Sequence, residues 1–584
     1  MNAGRRDANS HLTGSGKKIR NTRTFRSYTM TTTQRSAIYS SILFFGLMIG
    51  HSLTSQSFAG ADDRPSLVNH GIIQKPQGKS HQPVPLTDPS PIDSLIDQGP
   101  ASHAFWLIQV RDDQGNVLVS RNADKVVRPA SNLKMLTASA ILAQLGPDYR
   151  FETTLSATGE QQENRWVGDL HVIGSGDPSI HAPEGGDPLF LFESWVQLFD
   201  SMGVNVIDGN LIGWNGRFDQ KPYPKGWEWD DLTYYYAPEI DALSFNMNVV
   251  DLTVEAEGIP GSQPSIRWSP MQTPYVQFVN EQQITPAGTS FEESYYRLPG
   301  TNTIYLRSTI PQGYIETEPL TVHRPAFFFM DTMKRWFEAR GIRINGQTLV
   351  RGDGDAMPPG GSARGVPGSL PGTLPGKLPG TLSGTLSGTL PGTLSGEDRT
   401  RTVIATHVSE PLYNLVAWLL QESDNFYTEM LVKELAAEKL NTQGSTELGL
   451  QLIEEYLTAH GVDPNYLELR DGSGMAPATM IRLSDLNHYL HQVKNQPWFS
   501  VFYEALPVSG TNGTLEDRFH NSPVRNRFNG KTGFLTGVRS LSGYLTTKQG
   551  TELTLTIATN NYTIKTREID QIHEQILEFL YETF

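Results

Sequence analysis

Between Ser369 and Gly396 the chain writes one tetrapeptide seven times with small changes, SLPG-TLPG-KLPG-TLSG-TLSG-TLPG-TLSG. A tract so rich in Pro, Gly, Thr and Ser cannot bury a core, so it reads as a flexible surface insertion, and folding is left to the residues on either side. A period of four is also far below the roughly 20 to 50 residues of a solenoid repeat. The start of the chain is equally restricted. Residues 60–95 are rich in Pro, Ser, Gln and His without any sustained period and read as a flexible leader. Before them, a basic stretch (Arg5, Arg6, Lys17, Lys18, Arg20, Arg23, Arg26) precedes the apolar run Ala37 to Gly50, and Ser57-Phe58-Ala59 offers a small-x-small cleavage pattern. The run is shorter than the roughly 20 residues of a membrane span, so residues 1–59 are expected to be a leader and signal peptide for export, with an uncleaved anchor as the alternative.

What remains of the 584 residues is enough for several domains, and 38% apolar residues can build their cores. A net charge of −15 argues against nucleic acid as a partner, because phosphate binding rests on Lys and Arg charge. The chain contains no cysteine. Disulfides, thiolate nucleophiles, iron–sulfur clusters and Cys-based zinc sites are thereby excluded, and any covalent catalysis needs another nucleophile. No second membrane segment occurs, so the mature chain is expected to be soluble or to touch a membrane only peripherally.

Folding is expected to begin near Ala104. The runs Ala104 to Val110 and Asn116 to Ser120 read as a hairpin around Asp112-Asp113-Gln114-Gly115, and a helix opens at Pro129-Ala130-Ser131. From Arg150 to about Val350 short strands dominate, with Leu189 to Met202 as the one candidate helix. Two helices, Pro411 to Leu420 and Phe426 to Leu440, flank a break at Glu422 to Asn425. The end of the chain reads as strands around Asn529 to Lys531, Ser540 to Thr547 and Glu552 to Thr559, then an amphipathic helix with Ile569, Ile572, Ile576, Phe579 and Leu580 on one face.

Three short motifs fall on these elements in order. Ser131-Asn132-Leu133-Lys134 opens a helix, Ser423-Asp424-Asn425 sits at a helix break, and Lys531-Thr532-Gly533 lies on a strand. Each alone is weak; Ser15 to Lys18 repeats the first pattern in the basic leader. Together they have a chemical sense. Helical residues three apart share a face, which places the Lys134 amine within reach of the Ser131 hydroxyl. A neutral amine could take the serine proton if burial or a second positive charge, for which Lys531 is the candidate, lowers its pKa from about 10.4. Ser423 can relay a proton to a leaving amine, and the Asn425 amide can hold a peptide or the lysine. Lys531 and Thr532 offer a charge and a hydroxyl to a substrate carboxylate. The strand through Gly533 and Phe534 offers an edge to an extended peptide, and the N–H groups of Ser131 and Phe534 are candidates for an oxyanion hole.

Other patterns fail. His573-Glu574 begins a zinc motif, but Leu577 stands where the second histidine belongs. Gly174-Ser175-Gly176 lacks the third glycine of a dinucleotide fingerprint. Asp471-Gly472-Ser473-Gly474 lacks the spacing of a nucleophile elbow and reads as a tight loop that could border the site. No metal and no cofactor is expected.

With Pro129-Ala130-Ser131-Asn132-Leu133-Lys134, Gly176-Asp177-Pro178, Tyr236-Ala237-Pro238, Asn246 to Val250, Asp471 to Gly474, Leu506 to Gly510 and Gly513-Thr514-Leu515, the chain resembles the low-molecular-mass class C penicillin-binding proteins, the D-alanyl-D-alanine carboxypeptidase/endopeptidase family. The resemblance runs from about Ala104 to Phe584 except for the tetrapeptide tract. Ser131 and Ser423 lie 292 positions apart, a gap that this family fills with two extra domains. The resemblance implies an α/β fold: a β-lactamase/transpeptidase-like penicillin-recognising domain, an antiparallel sheet with helices plus an all-α part, from residues 96–150 and 401–584. It implies two mainly β insertions, domain II from 151–174 and 251–356 and domain III from 175–250, with 357–400 as the low-complexity insertion. The implied enzyme is a periplasmic serine peptidase acting on peptidoglycan stem peptides that end in D-Ala-D-Ala, or on D-Ala cross-links, and inhibited by β-lactams. Ser131 is its implied nucleophile and Lys134 its base. Ser423 and Asn425 form the second element, and Lys531, Thr532, Gly533 and Phe534 bind substrate. A serine β-lactamase and an inactive murein-binding protein are the alternatives. Two departures stand out: Phe534 replaces the family's usual Thr after K-T-G, and Met475-Ala476-Pro477 replaces Leu-Ser-Arg.

Overall fold

The computed structural model describes residues 91–181, 186–352 and 401–584. The expected signal peptide, most of the expected flexible leader and the tetrapeptide tract lie outside the described residues. Among those described, no helix is long and apolar enough to cross a membrane.

One five-stranded antiparallel sheet is made from both ends of the chain. It contains β1 (Phe105–Arg111), β2 (Val117–Arg121), β3 (Phe528–Leu535), β4 (Val538–Thr546) and β5 (Glu552–Asn560), in the order β2-β1-β5-β4-β3. The near-continuous apolar text of β1 follows from burial on both faces, while β5 alternates Leu553, Leu555 and Ile557 with the buried threonines Thr554 and Thr556. Trp106, Ile108 and Val110 point to one side, where they share a core with Leu541, Leu555 and Ile557, the first described helix α1 (Pro91–Asp97) and Ile569, Ile572 and Ile576 of the last. Leu107, Tyr544 and Ala558 point to the other, toward helices α2 (Leu133–Leu145) and α3 (Asn425–Leu440). α2 and α3 are buried nearly all round because other helices, including Leu412–Gln421 and Thr446–Ala459, enclose them, and the buried face of α3 includes Glu429, Lys433 and Glu434. The last helix, α4 (Thr566–Thr583), instead carries the single apolar stripe expected of a surface helix.

The hairpin, the two helices around residue 422, the C-terminal strands and α4 stand where expected, within a residue or two. Several elements differ. α1 begins at Pro91, inside the expected leader, because Ile92 and Ile96 are buried. The strand-rich insertion also contains Pro325–Ala339, a 15-residue helix. Its run Phe327 to Met330 looks like a buried strand by composition, but the segment carries Pro at its first position and packs beside helix Phe190–Ser201 in a core of its own.

The sheets of the insertion join segments that lie far apart in the chain. Leu211–Trp214, placed in 175–250, pairs with Leu170–Ile173 and Thr348–Arg351. Thr402–Val408, placed in the catalytic domain, pairs with Glu152–Ala157 and closes the same five-stranded sheet. The other part of the insertion is strand-built. There Val249–Glu255 pairs with Ser265–Ser269 and Ile315–Thr321, and this sheet shares the insertion's core with Tyr295, Ile304 and Leu306 from Tyr295–Arg297 and Thr303–Leu306.

Candidate active site

The turn before α2 is strained and held from three sides. Ser131 lies in a 3-10 turn, Ala130–Asn132, that leads into α2. Ala130 has φ +48°, a left-handed conformation that costs an alanine of order 1–2 kcal/mol. Its neighbours leave it no room to relax. A Cβ on Gly474 would come within 2.0 Å of the Ala130 carbonyl oxygen, and one on Gly533 within 2.8 Å of the Pro129 carbonyl oxygen. Ser540 Oγ donates to that same Pro129 oxygen at 2.6 Å. Asn132 Nδ2 donates to the Lys531 carbonyl at 2.9 Å, so the first and third motifs are tied directly.

Lys134 is the hub. Its Nζ reaches Ser131 Oγ at 3.1 Å, Asn425 Oδ1 at 2.5 Å and the Ser473 carbonyl at 2.9 Å. The side chain is fully buried, and burial lowers its pKa to about 8 although Asp471, Glu429 and Asp424 all act to raise it. Desolvation, not the charge of Lys531, therefore activates this amine. Lys531 is also fully buried and is itself held well below the usual lysine range, first by burial and then by the charge of Lys134. Its Nζ donates to the Thr532 carbonyl at 3.0 Å.

Asn425 is the first residue of α3, whose N-terminus is capped by Asp424: Oδ1 accepts from Tyr427 N at 2.9 Å. The Asn425 Nδ2 donates to the Tyr236 carbonyl of the insertion at 2.8 Å, which turns Oδ1 toward Lys134. Ser423 occupies the break before α3 at φ +60° and forms no hydrogen bond with Ser131, Lys134 or Lys531 among the described residues. Proximity thus gathers Ser131, Lys134, Asn425 and Lys531, with Ser423 two residues from the cluster.

β3 is an edge strand. Over its first residues the edge is covered, since Ser509 N donates to the Phe528 carbonyl and Gly530 N to the Pro507 carbonyl. By the alternation of an antiparallel ladder, the main-chain groups of Thr532 and Phe534 point the same way, away from β4. Gly533 faces Pro129 and Ala130, Thr532 is buried and Phe534 half-buried.

Two features of the site were not singled out as functional from the sequence. The loop Asp471 to Ala476, read as a turn that could border the site, supplies the third partner of Lys134. It is organised by Asp471, whose carboxylate accepts from Ser473 Oγ, Met475 N, Ala476 N, Thr479 Oγ1 and Trp227 Nε1 at 2.7–3.1 Å. Glu429, one turn after Asn425 on α3, is fully buried and accepts from Gly472 N at 3.0 Å and Ser473 N at 2.8 Å. Its signal was present: an acid among Phe426, Tyr427, Met430 and Leu431 on a helix that shows no polar face. The rejected zinc motif stays rejected, since His573 is buried and bonded to Thr559 Oγ1 at 2.9 Å.

The D-Ala-D-Ala carboxypeptidase 3 (S13) family model matches residues 90–356 and 385–583, and so takes in all three motifs. The chain belongs to that family. Like its S13 relatives it is a serine D-Ala-D-Ala carboxypeptidase/endopeptidase of the penicillin-binding protein 4 kind. It is 27% identical to the D-alanyl-D-alanine carboxypeptidase of Actinomadura sp. (strain R39), over 81% of this chain and 80% of that one. It is 22% identical to D-alanyl-D-alanine carboxypeptidase DacB of Haemophilus influenzae, over 81% and 88%. The S13 fold is also found in the crystal structure of penicillin-binding protein 4 from H. influenzae. That structure superposes with a TM-score of 0.67 at 20% identity, over 84% of this chain and 99% of that one. The same protein has been solved with a β-lactam bound, at a TM-score of 0.64.

Proposed function

We propose that this S13 peptidase works in the periplasm on peptidoglycan stem peptides, with Ser131 as nucleophile and Lys134 as its base. The observation that carries the assignment is the buried Lys134 Nζ at 3.1 Å from Ser131 Oγ, with its pKa brought down to about 8. Ser131 Oγ attacks the carbonyl of the penultimate D-Ala while its proton passes to Lys134. The oxyanion is received by the N–H groups of Ser131 and Phe534. The C–N bond then breaks, the proton reaches the departing amine by way of Lys134 and Ser423, and an ester to Ser131 remains. Water takes the place of the amine, regenerates the serine and releases the shortened peptide. When the amine belongs to a cross-linked diamino acid, the same two steps open a cross-link. Asn425 orients Lys134, and Lys531 and Thr532 receive the terminal carboxylate. The peptide lies along the edge of β3 beside Gly533 and Phe534, in the manner of an added strand.

β-Lactams present a strained amide and a carboxylate to the same groups, so they should acylate Ser131. Incubating mature protein with a labelled penicillin and measuring intact mass should give one adduct on the wild type and none on Ser131→Ala. No adduct on either, or equal adducts on both, would refute the assignment. Export rests on the apolar run Ala37 to Gly50 and the Ser57-Phe58-Ala59 pattern, and N-terminal sequencing of the secreted protein should begin just after Ala59.

A further inference from the structure

We propose that Glu429 is a positioning residue for Lys134, pinning from below the loop whose carbonyl orients the catalytic amine. The inference rests on the role given above to Lys134. Glu429 sits one turn along α3 from Asn425, so a single helix carries two of the groups that shape the lysine's surroundings. Asn425 touches Nζ directly at 2.5 Å. Glu429 acts through the loop: one carboxyl oxygen, Oε1, gathers the N–H groups of Gly472 and Ser473, and the carbonyl of Ser473 accepts from Lys134 at 2.9 Å. Thr137 Oγ1 fastens the same stretch from α2 by donating to the Gly472 carbonyl at 2.7 Å. The loop is therefore gripped by Asp471 from within and by Glu429 from beneath.

The second carboxyl oxygen points to an electrostatic role as well. Glu429 Oε2 is buried and has no hydrogen-bond partner, an expensive arrangement that a purely structural clamp does not need. The charged or titratable groups facing it are Asp471 in the loop and Lys134 on α2; Lys134 in turn also faces Asp424 at the helix cap. Burial and the charge of Asp471 push Glu429 up to about 8, the same region as Lys134. Two groups that close in affinity compete for protons as a pair. If Glu429 loses its proton first, its charge strengthens the hold of Lys134 on the proton that catalysis must remove. If Lys134 loses its proton first, the amine is ready. Glu429 thus sets how much of the enzyme carries a free amine at a given pH.

The test is the pH profile of penicillin acylation in the wild type, Glu429→Gln, Glu429→Ala and Lys134→Ala, with thermal unfolding of each. Glutamine keeps an acceptor for Gly472 and Ser473 but carries no charge. Glu429→Gln should therefore acylate at a rate near that of the wild type at high pH, with its acid limb moved to lower pH by about half a unit to one unit. Glu429→Ala loses the clamp and should acylate at least about tenfold more slowly at every pH. An acid limb in Glu429→Gln that coincides with the wild type would overturn the electrostatic role. Equal rates in Glu429→Ala and the wild type would overturn the clamp, and should Glu429→Ala not fold, the glutamine profile decides alone. If Lys134→Ala acylated as fast as the wild type, the base assignment itself would fall. A slow Lys134→Ala beside an unshifted Glu429→Gln would remove only Glu429.

Discussion

Lys134 shows how a residue that ordinarily holds its proton far above neutrality is made to release it. No nearby cation does this; three acids surround the amine and oppose the shift, and removal from water outweighs them. Acylation by penicillin should therefore rise with pH along a limb centred near 8 and then level off. Lys134→Ala should lower the rate by about 10²–10⁴ and abolish that limb, as stopped-flow acylation between pH 6 and 10 would reveal. At this scale the sequence was informative about chemistry and silent about support. The three motifs name the proposed reacting groups because that chemistry calls for a hydroxyl, an amine and an amide. The left-handed Ala130 and the glycines that lock it from more than 300 positions away carry no fixed spacing, and the clamp of Glu429 on a loop 43 positions further on is likewise set by packing alone.

At the scale of elements, the strands and helices next to the motifs were readable because alternation and apolar stripes are strong there. Pro325–Ala339 was not, since its four consecutive large apolar residues, Phe327 to Met330, mask the helical period that Asp331, Lys334, Arg335 and Glu338 mark on its outer side. The strand-built part of the insertion presents a different case. Glu293, Glu316 and Glu318 converge there within 4.8 Å, with Tyr295 donating to Glu316 at 2.5 Å. Burial and the neighbouring Glu293 push the Glu316 carboxyl up to about 8, from the usual 4.5. Because its folded pKa lies above its unfolded one, the folded state holds the extra proton between those values. Its contribution is thus fully present below about pH 4.5 and is lost as pH rises toward 8. Glu316→Gln should be spared part of that loss, so its fall in unfolding free energy from pH 5 to pH 8 should be smaller than that of the wild type by roughly 1–3 kcal/mol. Equal falls in urea titrations at the two pH values would show that Glu316 ionises freely.

For the molecule as a whole, the two ends of the 353–400 segment leave the same sheet at opposite edges, Thr348–Arg351 on one side and Thr402–Val408 on the other. Four strand spacings separate them, about 19 Å. Removing the seven tetrapeptides, 369–396, would leave about 20 residues between these strands, with a reach of roughly 66 Å when extended. That deletion should preserve the circular dichroism spectrum and the penicillin acylation rate, whereas removing all of 353–400 should disrupt the sheet. The catalytic sheet sets a different condition, one of time. Its strand β1 is hydrogen-bonded to β5, so an element made near the start waits for one made near the end, with Trp106 paired to Thr559. At a synthesis rate of roughly 5–20 residues per second, that wait is of the order of half a minute to a minute and a half. For that interval the helix of the proposed nucleophile has no sheet to rest on. A newly made chain is therefore inert until its last strands emerge, so synthesis itself withholds the activity from a half-made chain.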